Sequence, residues 1–188
     1  MKIYLIFSAT DSFLSKLIGM YTQQRYNHVS IAFDSELKNV YSFGRKKISN
    51  PLIGGFVKED FYDPFFLCSQ TAIYSLTVTP EELNALQAAI HYFEKHQHQL
   101  TYNFIGLLTL ALNFNFERQN AYFCSQFVAT ILKEAQIKEF EKQTHFIKPM
   151  DLLDELPLEY IYEGSVVDYL DFDEKEIENN WELNQQIV

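Results

Sequence analysis

Cysteine and histidine are the residue types here that could combine into a nucleophilic site, and the chain holds few of either. There are two cysteines and five histidines in 188 residues. Both cysteines sit in the tripeptide Cys-Ser-Gln, as "FLCSQT" around Cys68 and "YFCSQF" around Cys124. Their flanks separate them. Cys124 precedes a run with Phe127, Val128, Ile131, Leu132 and Ala135 at helical spacing, so it stands where a helix begins. The unpaired N–H groups and positive dipole end of a helix start favour a thiolate and can hold a developing oxyanion. A capping cysteine without chemistry occupies the same kind of position, so spacing alone leaves both roles open. Cys68 follows "DPFFL" and opens a β-rich run, where no aligned dipole supports a thiolate, and it reads as a small buried core residue.

A thiol nucleophile needs a base. His91, His96, His98 and His145 fall on polar helix or loop, whereas His28 opens the alternating stretch "HVSIAFD". Val29, Ile31 and Phe33 share one face of that strand, and His28, Ser30 and Ala32 share the other. A polar turn, "SELKN", leads into "VYSFGR", so the two strands form a hairpin in which Val40, Ser42 and Gly44 join the His28 face. The small residues on that face predict that the start of the Cys124 helix docks there, bringing imidazole and thiol together. A lone strand histidine also serves as a packed core residue; the pair of residues is worth more than either alone. Neither cysteine belongs to a Cys-x-x-Cys pair, and "HYFEKHQHQ" reads as polar helix surface, so no metal or other cofactor is expected.

The remaining elements must position these groups. "KIYLIFS" reads as a buried first strand, and "DSFLSKLIGMYT" as an amphipathic helix capped by Asp11 or Ser12. "KKISNPLIGGFVKED" reads as a loop around two adjacent glycines, and "QTAIYSLTV" as a strand rich in β-branched and aromatic residues. Thr79, Pro80 and Glu82 spell a capping box, with Leu83, Leu86, Ile90 and Phe93 forming the buried face of the helix that follows. A further helix is expected over 101–113, a loop with a short helical turn over 148–156, and a last strand at "LEYIYEG". The mixture predicts an α+β domain over residues 1–166. An acidic tail, 167–188, would follow, carrying seven acids against Lys175 between 168 and 183.

Composition narrows the function. At 47% hydrophobic and 16% aromatic content, the chain can bury one sizeable core. The net charge of −10, with no basic stripe, argues against nucleic-acid binding. The apolar run "FIGLLTLALNFNF" is too short to cross a bilayer and reads as a buried helix, so no transmembrane segment is expected. "MKIYLIF" reads as a strand rather than an export signal, which predicts a cytoplasmic protein with unpaired thiols.

Four of these segments, in order, resemble a known family. "YNHVSIAF", "TYNFIGLL", "YFCSQFVATIL" and "IKPMDLL" are similar to the motifs of the permuted papain-like cysteine hydrolases of the NlpC superfamily, particularly its YiiX-like group. The resemblance covers roughly residues 2–163. It implies a circularly permuted papain-like fold, with an antiparallel sheet packed against the nucleophile helix and His ahead of Cys in the chain. It further implies Cys124 as nucleophile, His28 as base, and the Cys124 backbone as oxyanion donor, with Tyr26 and Tyr102 as binding residues. The family's third, polar residue lies on the strand after the histidine; Ser42 is the nearest match, with Asn39 or Tyr41 eligible only in another register. Ser30 replaces the family's usual glycine. The expected activity is hydrolysis of an amide in a peptide or small molecule. The alternatives are lipid acyl hydrolysis or transfer, with the apolar 104–116 segment and "DPFFL" bordering a groove, and a binding domain whose catalytic pair has decayed.

Overall fold

The computed structural model describes residues 1–9, 25–46, 54–103 and 120–170. It is an α+β arrangement around a six-stranded antiparallel sheet in the order β4-β3-β2-β1-β5-β8. The strands are β1 (Lys2–Ala9), β2 (His28–Ala32), β3 (Val40–Arg45), β4 (Gly54–Glu59), β5 (Gln70–Thr77) and β8 (Glu159–Ser165). A parallel two-stranded ladder of β6 (Thr101–Tyr102) and β7 (Ala121–Tyr122) leads into the Cys124 helix. The helices are α1 (Pro64–Leu67), α2 (Pro80–His96), α3 (Cys124–Glu134), α4 (Pro149–Glu155) and α5 (Val166–Leu170), with a 3₁₀ turn at Thr144–Phe146. No helix among the described residues is long and apolar enough to cross a membrane.

The alternation expected for β2 and β3 divides the core in two. Val29, Ile31 and Phe43 face one way, joining Ile3, Leu5, Phe7 and the apolar sides of α2 and α3. Ala32 and Val40 face the other way, with Ile6, Phe61, Leu67, Ile73 and Val166. On the first face Phe43, Phe56, Phe93 and Phe127 form a ring cluster, with centroids 5.3 Å apart for Phe43–Phe127 and 5.1 Å for Phe93–Phe127. This cluster seats both long helices on the sheet and sets where α3 begins. The capping box at Thr79 and Glu82 forms as the sequence indicates, each side chain bonding the other's backbone N–H.

Several sequence expectations change. The stretch read as a loop at 46–60 contains β4, an edge strand paired with β3 from Val40↔Glu59 to Arg45↔Gly54. Residues 101–102 are strand, not the start of a helix, and the rest of the helix expected at 101–113 lies outside the described residues, as does the amphipathic run after Asp11. Asp63 caps α1 and Pro64 opens it, so Cys68 is a helix C-cap rather than a strand residue, and it is exposed rather than buried. Phe66 and Leu67 of "DPFFL" pack with Phe61 in the second core, on the sheet face opposite α3. The acidic tail was expected from 167. Yet α5 carries Val167, Tyr169 and Leu170 against the second core, and Tyr169 Oη donates to the Ser35 carbonyl at 2.9 Å. Residues 171–188 lie outside the described residues.

Candidate active site

Cys124 is the first residue of α3 and is 3% exposed. Its helix has Phe123 as N-cap, in an extended conformation and with no side chain able to satisfy the first-turn amides. Those amides and the helix dipole are therefore directed at whatever lies beside the thiol. What lies beside it is His28, close enough that the Cys124 side chain helps to raise the imidazole's pKa. The two expected partners are together, though not by the expected docking. The body of α3 packs on the Val29, Ile31 and Phe43 face, not on the small-residue face that carries Ser30 and Ser42. The residues meet because each is the first of its element, His28 of β2 and Cys124 of α3.

The small residues make room for a carboxylate instead. Glu59 ends β4, and its side chain lies over the Ser30, Ser42 and Gly44 side of the sheet. His28 Nε2 donates to Glu59 Oε1 at 2.8 Å, and Ser42 Oγ donates to the same oxygen at 2.7 Å. Ser30 Oγ donates to Oε2 and also lies 3.2 Å from His28 Nε2. A Cβ at Gly44 would stand 3.3 Å from Glu59 Oε1 and 3.3 Å from Ser42 Oγ, so glycine gives the carboxylate its space. Glu59 is buried and the His28 side chain is 13% exposed, and their hydrogen bonds offset the desolvation that this burial imposes.

Electrostatics follow from this geometry. Burial alone would lower the pKa of His28, but the Glu59 charge, together with its interactions with Cys124, raises it to about 10. Burial alone would likewise raise Glu59, but the imidazolium and the hydrogen bonds from His28, Ser30 and Ser42 hold its carboxyl below the usual range. The pair is thus an ion pair at neutral pH. An imidazole already protonated does not act as base toward a thiol; it stands beside Cys124 as a cation.

Glu59 is absent from the sequence-based site because its stretch reads as a loop, whereas it pairs with β3. The available signal was the alternation in "GFVKE", with Gly55, Val57 and Glu59 on one side of Phe56 and Lys58. Ser42, expected as the third residue, donates to the carboxylate that receives the imidazole. Tyr41 faces the other side of the sheet, stacked on Phe56, and Asn39 accepts from Lys58 Nζ. Tyr26 is buried against Phe7 with Arg25 over its ring, a packing position. Tyr102 pairs in register with Tyr122 and packs against β4, where a Cβ on Gly54 would come within 2.7 Å of its Cβ. His145, expected on polar helix or loop, is buried in the 3₁₀ turn, while His91 and His98 are exposed and His96 is half-buried. Among the described residues no group of three or more His, Cys, Asp or Glu is placed to hold a metal ion.

No protein-family model and no curated protein matches this chain.

Proposed function

We propose that the protein is a thiol hydrolase of the permuted papain-like type, cleaving an amide through an acyl-enzyme on Cys124. The observation that carries this reading is the proximity of Cys124, at an uncapped helix start, to a largely buried His28–Glu59 ion pair. With Nε2 given to Glu59 and Ser30, Nδ1 is the ring nitrogen left for the thiol. In the reaction, the thiolate adds to the substrate carbonyl and the first-turn amides of α3 take the oxyanion. Collapse of the adduct breaks the C–N bond as the imidazolium gives its proton to the leaving amine. The neutral imidazole then deprotonates a water that attacks the thioester. This releases the carboxylic acid and restores the imidazolium and thiolate.

A binding domain with a decayed catalytic pair is the less favoured reading, because a carboxylate, Glu59, is bonded to the imidazole. Lipid chemistry is less favoured because Phe66 and Leu67 of "DPFFL" pack on the other face of the sheet from Cys124. Substrate class is tested by mixing the protein with matched amide and ester substrates of short acyl-amino acids and of long-chain acyl groups, then quenching in acid. Intact mass should show one acyl adduct, mapped to the Cys124 peptide, forming from the short amides and disappearing with turnover. An adduct from long-chain esters alone would favour lipid chemistry, and no adduct from any of them would remove the hydrolase reading.

A further inference from the structure

We propose that Ser30 is a positioning residue that bridges the His28 imidazole and the Glu59 carboxylate and so fixes which ring nitrogen faces Cys124. The role of Cys124 here rests on the thiol-hydrolase reading; the bridge itself does not. Ser30 lies two residues from His28 on β2, on the same face, and is fully buried. No bulk water competes for its hydroxyl, and both its functions are used within the pair. Its proton goes to Glu59 Oε2, and its lone pair faces His28 Nε2 at 3.2 Å. The Nε2 proton is therefore shared between Glu59 Oε1 and Ser30 Oγ, in a three-centre arrangement.

The two carboxylate oxygens are held differently. Oε1 receives both His28 and Ser42, whereas Oε2 is held by Ser30. Without Ser30 the carboxylate would keep its bonds on one oxygen only and could pivot about them, and the imidazolium would lose one of its two acceptors. A glycine, the usual residue at this place in the family the sequence resembles, has no hydroxyl and cannot form the bridge. The charged or titratable groups facing the pair are His28 from β2, Glu59 from β4 and Cys124 from α3; Ser42 from β3 is neutral. Ser8 of β1 provides an internal control. It stands directly opposite His28 in the β1–β2 ladder, and its buried hydroxyl has no hydrogen-bond partner among the described residues.

The test is an NMR titration of the His28 ring in protein labelled with 15N-histidine, which needs no turnover. The wild-type imidazolium should persist to about pH 10. Ser30→Ala should lower that midpoint by about one pH unit, the amount expected when a charged group loses one hydrogen bond. Ser30→Gly removes the same hydroxyl without placing a methyl beside the carboxylate and should give the same fall, which covers a poorly folding alanine variant. Ser8→Ala should stay within about 0.3 of a pH unit of wild type. An unchanged midpoint in either folded Ser30 variant would overturn the proposal, as would an equal fall in Ser8→Ala. Loss of the hydrolase reading is a separate result: a chain that forms no acyl adduct would still show the Ser30-dependent titration.

Discussion

Replacing Glu59 by Gln is expected to slow acylation of Cys124 by about 10²–10⁴-fold, while Ser42→Ala slows it less than about ten-fold. Glutamine keeps the shape of the side chain and can still contact Nε2, but it removes the charge that keeps His28 protonated against the cost of burial. The imidazole then reverts toward neutrality and no longer supports the thiolate. Ser42 acts one bond further out, donating to Oε1, so its loss leaves the ion pair in place. Pre-steady-state acylation rates for the two variants, with folding checked by circular dichroism, decide the matter. A Ser42→Ala loss equal to or larger than that of Glu59→Gln would return the third position to Ser42.

The second large effect is on stability and its pH dependence. Removing one member of a largely buried ion pair strands the other, a cost of about 3–5 kcal/mol, so His28→Ala should be strongly destabilised near pH 5.5. The two pKa shifts then set the window in which wild type holds that advantage. His28 is raised from 6.5 to about 10, so its contribution is complete below about pH 6.5 and is lost as pH rises through about 10. Glu59 is lowered from 4.5, so its contribution is present above about pH 4.5 and is lost as pH falls through its depressed folded value. Between pH 6.5 and 10 the stability difference between wild type and His28→Ala should shrink by up to about 1.4 kcal/mol per pH unit. Urea denaturation of both proteins at pH 5.5, 7.5 and 9.5 measures it. A difference that stays constant across these values would mean that His28 gains no charge on folding at neutral pH.

The half of the site carried by local signals was legible in the sequence. Apolar spacing after Cys124 marks a helix start, alternation from His28 marks a strand and its faces, and the Thr79–Glu82 capping box marks α2. What failed had non-local or overlooked causes. β4 is an edge strand opened by two glycines, and only its pairing with β3 reveals that Glu59 reaches back to His28. Helix α3 docks through Phe127 and Val128 on the apolar face, a choice fixed by the aromatic cluster with Phe43 and Phe93 rather than by the small residues near His28. Cys68 was misread although Asp63-Pro64 is a helix-start signal, the cap followed by proline in the first turn. The same tripeptide therefore ends one helix and begins another. Cys68 lies exposed at a C-cap, where the dipole offers a thiolate nothing, and Cys124 lies buried at an N-terminus beside an imidazolium.

That contrast gives the most direct test of the central claim, that His28 activates Cys124. Iodoacetamide labelling at pH 6, followed by peptide mapping, reports both thiols in one sample. If exposure governs, the exposed Cys68 labels first, and the 3%-exposed Cys124 is slow whether or not His28 is present. If the imidazolium sustains a thiolate at Cys124, its labelling at pH 6 should fall about 10–100-fold in His28→Ala, while Cys68 labelling does not change. A Cys124 rate indifferent to His28 would contradict the account.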